Sequence, residues 1–87
     1  MAVKLNQYNP YNQYMEQEFR ENLAHNLKIE RAKSRLTQEK LAELAFVSPK
    51  HITKIESAKS TPSVYLVHRL AKVLNTTIDN LVNKPNV

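Results

Sequence analysis

The sequence predicts an all-α fold, five helices around one core, preceded by an extended N-terminal arm. Three observations predict it. Apolar residues recur three or four apart through most of the chain, and no stretch alternates with the period of a strand. Hydroxyl residues stand where helices would open, at Thr37, Ser48, Ser63 and Thr77. The chain has 87 residues and no cysteine. That length allows one small domain, which buries roughly 60–65% of its unfolded surface.

Residues 1–14 contain the run NQYNPYNQY, rich in Asn, Gln and Tyr. The run has no aliphatic residues for a core, so it reads as a flexible arm. Tyr8, Tyr11 and Tyr14 leave three uses open: packing back on the domain, touching a partner subunit, or lying along a groove of a nucleic acid. The domain proper spans 15–83. Its first helix runs from Met15 to about Ser34, with Phe19, Leu23 and Leu27 repeating every fourth residue. Glu16, Glu18 and Glu21 crowd its N-terminal end, while Lys28, Arg31 and Lys33 crowd the other, as the helix dipole favours.

The second helix opens on Thr37, has Glu39 and Lys40 in its first turn and points Leu41, Leu44 and Ala45 inward. The third opens on Ser48 with Pro49 at the first helical position, where a missing N–H costs nothing. Ile52 and Ile55, three apart, face the core, and Lys50, His51, Thr53 and Lys54 take the remaining surface. Ser63 caps a fourth helix with Val64, Val67, Leu70, Ala71 and Leu74 as its inner stripe and Leu66 beside it. Asn75-Thr76-Thr77 interrupts the pattern. Thr77 then caps a short fifth helix carrying Ile78, Leu81 and Val82, and residues 84–87 form a polar tail.

Charge narrows the function classes. The formal net charge is +5. Residues 1–30 hold three Lys/Arg against four Glu, a net −1, and residues 31–87 hold ten against four acids, a net +6. The basic excess thus lies on the segment with the second and third helices, and basic domains attract polyanions through phosphate contacts and counterion release. No Cys, Gly-rich phosphate loop, Ser/His/Asp grouping or carboxylate pair suggests an enzyme. His25, His51 and His68 form no close ligand cluster, so neither a metal nor another cofactor is expected. No apolar run approaches the ~18 residues of a membrane span and no signal-peptide pattern begins the chain, so a cytoplasmic protein is expected.

Two short helices joined by a three-to-four-residue corner, the second one polar and basic outside, form a helix-turn-helix. Such a unit lays its second helix in the major groove of DNA. The residues carrying it are LTQEKLAELAFVSPKHITKIESAKSTP, from Leu36 to Pro62. TQEKLA, then VS-x-x-x-I-x-x-I-E, then a Pro, then Leu70-Ala71-x-x-Leu74 and Ile78-Asp79-x-Leu81, resembles the Cro/phage-repressor (XRE-type) helix-turn-helix family from about Leu23 to Leu81. The resemblance implies a lambda-repressor-like five-helix domain.

It also implies roles. Lys50, Thr53 and Lys54 match positions facing base edges in the major groove, where Lys donates to guanine O6 and N7 and Thr hydrogen-bonds or touches a thymine methyl. Gln38 matches a residue that bonds phosphate or helps orient base contacts. Ser48 and His51 are expected to hold backbone phosphate, and Lys59 and Ser60 to face the adjacent phosphates. Arg31 and Glu56 match a structural ion pair tying the first helix to the end of the third. The sequence departs from the family at three corners, where Arg35, Phe46 and Ala58 stand in place of glycine, and the chain contains none. Either these corners differ in geometry or the protein tolerates left-handed backbone there, at a cost of order 1 kcal/mol each.

One such helix reads only a few base pairs, so a homodimer on a palindromic operator is expected, its half-sites about 34 Å apart. Leu81, Val82, Val87 and Tyr65, with Phe46, are the candidate dimer residues, unless Leu81 completes the core. The expected function is a sequence-specific DNA-binding transcriptional regulator, a repressor of phage, mobile-element or toxin–antitoxin type. The alternative is a protein-interaction module or antitoxin whose arm, residues 1–14, holds a protein partner.

Overall fold

The computed structural model describes residues 10–85, with side chains from residue 14 onward. It contains α1 (Pro10–Lys33), α2 (Gln38–Ala45), α3 (Pro49–Glu56), α4 (Val64–Val73) and α5 (Ile78–Val82), and no strand among the described residues. The fold is all-α, with five helices.

Helix α1 begins at Pro10, five residues before the expected Met15. Proline is readily accommodated in a helix's first turn. Residues 10–14 of the expected arm are therefore helical, while residues 1–9 lie outside the described residues. The earlier start leaves the first turn without an acid, so Glu16, Glu18 and Glu21 sit too far along to gain from the dipole as expected. Arg31 and Lys33 do occupy the last turn.

The other four helices open alike. The hydroxyls of Thr37, Ser48, Ser63 and Thr77 accept from the backbone N–H groups of Lys40, His51, Leu66 and Asn80, at 3.0–3.1 Å. Helices α1 to α4 also close alike. Arg35, Phe46, Ala58 and Asn75 have φ of 57°, 58°, 61° and 56°, all left-handed. The N–H of the residue after each reaches back to a carbonyl in the last turn: Leu36 to Arg31, Val47 to Ala42, Lys59 to Lys54 and Thr76 to Ala71, at 2.9–3.1 Å. These are Schellman closures, which usually recruit glycine. Of the two possibilities at Arg35, Phe46 and Ala58, the chain takes the left-handed one, and Asn75 repeats it.

Helix α1 packs on α3 and α5, α2 on α3 and α4, and α4 on α5. Leu23, Leu27, Leu41, Ile52, Ile55, Leu70 and Leu81 are fully buried where these helices meet. Two inward assignments change. Leu44 is 42% exposed and Ala42 is buried instead, because the stripe of α2 centres near Ala45 and Leu44 falls beyond its edge. Val64 is 77% exposed and Leu66 replaces it, since at about 100° per residue Val64 starts α4 roughly 90° off the inner face. The buried Asn26 side chain donates to the carbonyls of Leu81, at 3.0 Å, and Asn83, at 2.8 Å, closing the end of α5 onto α1.

Candidate nucleic-acid interface

Ile52 and Ile55 anchor α3 in the core, which turns Lys50, Thr53, Lys54 and Ser57 outward on one exposed face at helical spacing. The loop after α3 folds back over its end through the left-handed Ala58. It thereby brings Lys59 and Ser60 alongside. Ser48, Lys50, His51, Lys54, Lys59 and Ser60 line one open depression of about 420 Å³. Six of the eight residues expected at the interface meet in this place. The Ser60 hydroxyl lies 3.5 Å from His51 Nε2. Lys50, Lys54 and Lys59 have no carboxylate partner among the described residues. Three uncompensated ammonium groups around a concave surface concentrate positive potential, which suits a phosphate backbone.

Gln38 and Thr53 belong to a second arrangement beside it. The Glu56 side chain is 3% exposed. Arg31 grips it from α1 through Nε to Oε2, at 2.7 Å, and Nη2 to Oε1, at 3.0 Å, while Nη1 donates to the Leu36 carbonyl at 2.9 Å. Hydrogen bonding to Glu56 raises the Arg31 pKa above its ordinary value, with its charge as a further cause. Gln38 Nε2 donates to Glu56 Oε1 at 2.8 Å, and Thr53 Oγ1 reaches Gln38 Oε1 at 3.2 Å. A continuous path thus runs from α1 through the buried carboxylate to the outer face of α3. No buried side-chain nitrogen or oxygen is left without a partner among the described residues.

Two further contacts hold the unit and were not legible beforehand. Arg69 of α4 donates through Nη2 to the carbonyls of Ala45 and Phe46, and its guanidinium stands 5.4 Å from the centroid of the Tyr65 ring. It clamps the corner between α2 and α3. On the other side, Glu16 accepts from both Arg20 and Thr61, and Arg20 donates to Thr61, tying α1 to the loop that carries Lys59 and Ser60. Both link residues 23 or more apart, and neither an isolated arginine nor an isolated threonine announces such a partner.

Among the described residues no three His, Cys, Asp or Glu side chains are grouped to hold a metal ion. Among the described residues no helix is long and apolar enough to cross a membrane.

Comparison with known proteins agrees with this geometry. A family model described as Helix-turn-helix (HTH_3) matches residues 27–81. The structure is similar to that of a hypothetical transcription factor, NHTF, from Neisseria, with a TM-score of 0.76 and 23% identity over 80% of each chain. It is similar to the clp gene regulator ClgR from Corynebacterium glutamicum, with a TM-score of 0.70 and 27% identity over 72% of this chain and 67% of that one. It also resembles part of hydroxypropylphosphonic acid epoxidase from S. wedmorenis, with a TM-score of 0.73 and 24% identity over 77% of this chain but 36% of that one. No curated protein matches the chain.

Proposed function

The chain belongs to the Cro/phage-repressor (XRE-type) helix-turn-helix family, and from that premise we propose that it is a sequence-specific DNA-binding transcriptional regulator. The observation that carries the reading is the depression lined by Lys50, Lys54 and Lys59, with Ser48, His51 and Ser60 between them. Lys50, Thr53 and Lys54 read base edges in the major groove, and Ser48, His51, Lys59 and Ser60 hold phosphates. ClgR, a regulator of similar fold, supports the assignment. The likeness to part of an epoxidase concerns the helical unit alone, since a fold carries no activity by itself.

The finer reading is a cytoplasmic repressor that binds a palindromic operator as a homodimer, because one α3 covers too few base pairs for selectivity. Tyr65 is 68% exposed and Phe46 87% exposed, and both remain candidates for the dimer surface. Leu81 is fully buried and drops out, and Val87 lies outside the described residues. A second reading, a protein partner at the N-terminal end, has support in Tyr14, 73% exposed, and Met15, 65% exposed, on the first turns of α1.

Titration with random and selected duplexes at low and high salt tests the proposal. A steep loss of affinity with salt, and a selected site preferred over random duplex, are expected. Absence of any complex at modest ionic strength would overturn it. If the N-terminal end serves a protein partner, deleting residues 1–14 abolishes capture of that partner and leaves DNA affinity unchanged.

A further inference from the structure

Thr53 is one of the residues assigned above to base edges, and on that reading the atoms around its hydroxyl determine what it can recognise. Glu56 is buried and paired with Arg31, so its carboxylate only accepts. Gln38 must therefore turn its amide nitrogen toward Glu56 Oε1. Its amide oxygen is left facing Thr53 Oγ1, at 3.2 Å. The other polar atom within reach of that hydroxyl is the Pro49 carbonyl, at 3.1 Å. Both neighbours are acceptors with no proton to offer. Whichever of them Thr53 chooses, its single O–H proton points into the protein and a lone pair points out.

We propose that Thr53 is a specificity-determining residue of one polarity: its oxygen accepts a hydrogen bond from an exocyclic base amine, adenine N6 or cytosine N4. At the same place guanine O6, guanine N7 and thymine O4 are acceptors themselves and offer it nothing. A free threonine hydroxyl would rotate to suit either kind of edge. Here the buried Arg31–Glu56 pair and the first turn of α3 remove that freedom.

The test starts from the duplex selected by the wild-type protein. Each adenine is replaced in turn by purine, which lacks the N6 amine, each cytosine by pyrimidin-2-one, which lacks the N4 amine, and each thymine by uracil, which lacks the C5 methyl. Wild type, Thr53→Val, Thr53→Ser and Lys54→Ala are titrated against every duplex. The expected result is a position at which amine removal weakens wild type, Thr53→Ser and Lys54→Ala by about 3- to 10-fold and leaves Thr53→Val unchanged. Equal responses of wild type and Thr53→Val at every position would overturn the proposal. So would sensitivity confined to exchange of thymine for uracil and shared by wild type and Thr53→Val, which would assign the contact to the threonine methyl. Both outcomes leave DNA binding standing. If no duplex is preferred over random DNA, the regulator reading fails and this proposal falls with it.

Discussion

At Phe46 the backbone holds φ at 58° under a side chain that is 87% exposed. Nothing that the side chain buries offsets the crowding between Cβ and carbonyl oxygen that left-handed backbone imposes. The conformation persists because the Val47 N–H closes on Ala42 and Arg69 grips the Ala45 and Phe46 carbonyls. Phe46→Gly and Ala58→Gly are therefore expected to stabilise the protein by about 0.5–1 kcal/mol each, after the extra unfolded-state entropy of glycine is subtracted. Asn75→Gly should gain less, because asparagine tolerates this region. Urea unfolding of the three variants checks both the sign and the order.

Helices α1, α2 and α3 are joined at Glu56, which links the Arg31 guanidinium to the Gln38 amide. Such a buried pair adds little net stability, since desolvation offsets the attraction, but half of one is costly. Arg31→Ala should destabilise by about 3–5 kcal/mol because it strands the Glu56 carboxylate. Arg31→Met combined with Glu56→Leu should lose far less, and chemical denaturation of both proteins separates the cases. The raised Arg31 pKa supplies stability that is fully present below its unfolded value and lost only as pH climbs past the folded one. That window lies above the ordinary arginine range, so titration of Arg31 adds no pH dependence from about pH 6 to 9. At α5, Asn26→Ala should cost about 1–3 kcal/mol, measured as a fall in the urea midpoint, by leaving the Leu81 and Asn83 carbonyls without their donor.

Across the whole molecule, the core and the proposed DNA-binding face share α3. Ile52→Ala should cost about 2–5 kcal/mol in thermal or urea unfolding, because Ile52 is fully buried. Lysine substitutions on the opposite face should leave stability alone and separate by their effect on DNA. Lys50→Ala or Lys54→Ala should cost about 1–3 kcal/mol of binding and relax the preference at one position. Lys59→Ala should weaken every duplex alike and reduce the salt slope by about 1. Selection from random duplex together with a salt titration reads both effects. Periodicity and caps made much of this legible in the residues themselves. Thr37, Ser48, Ser63 and Thr77 each bond to a neighbour three residues on, and Ile52 and Ile55 lie on one helix face by spacing alone. These are local interactions, decided within a turn of chain. Leu44 and Val64 were misplaced because an amphipathic stripe fixes that a helix has an inner face but not where neighbouring helices centre it. The polarity of Thr53 depends on Gln38, fifteen residues away, the corner clamp on Arg69, twenty-three or more away, and the seal of α5 on Asn26, fifty-five or more away. By itself the sequence determined the five helices, the openings of α2 to α5 and the basic face. Only the tertiary structure decided where each inner stripe centres and which way Thr53's proton points, because each is set by packing and hydrogen-bond partners that meet once the helices are assembled.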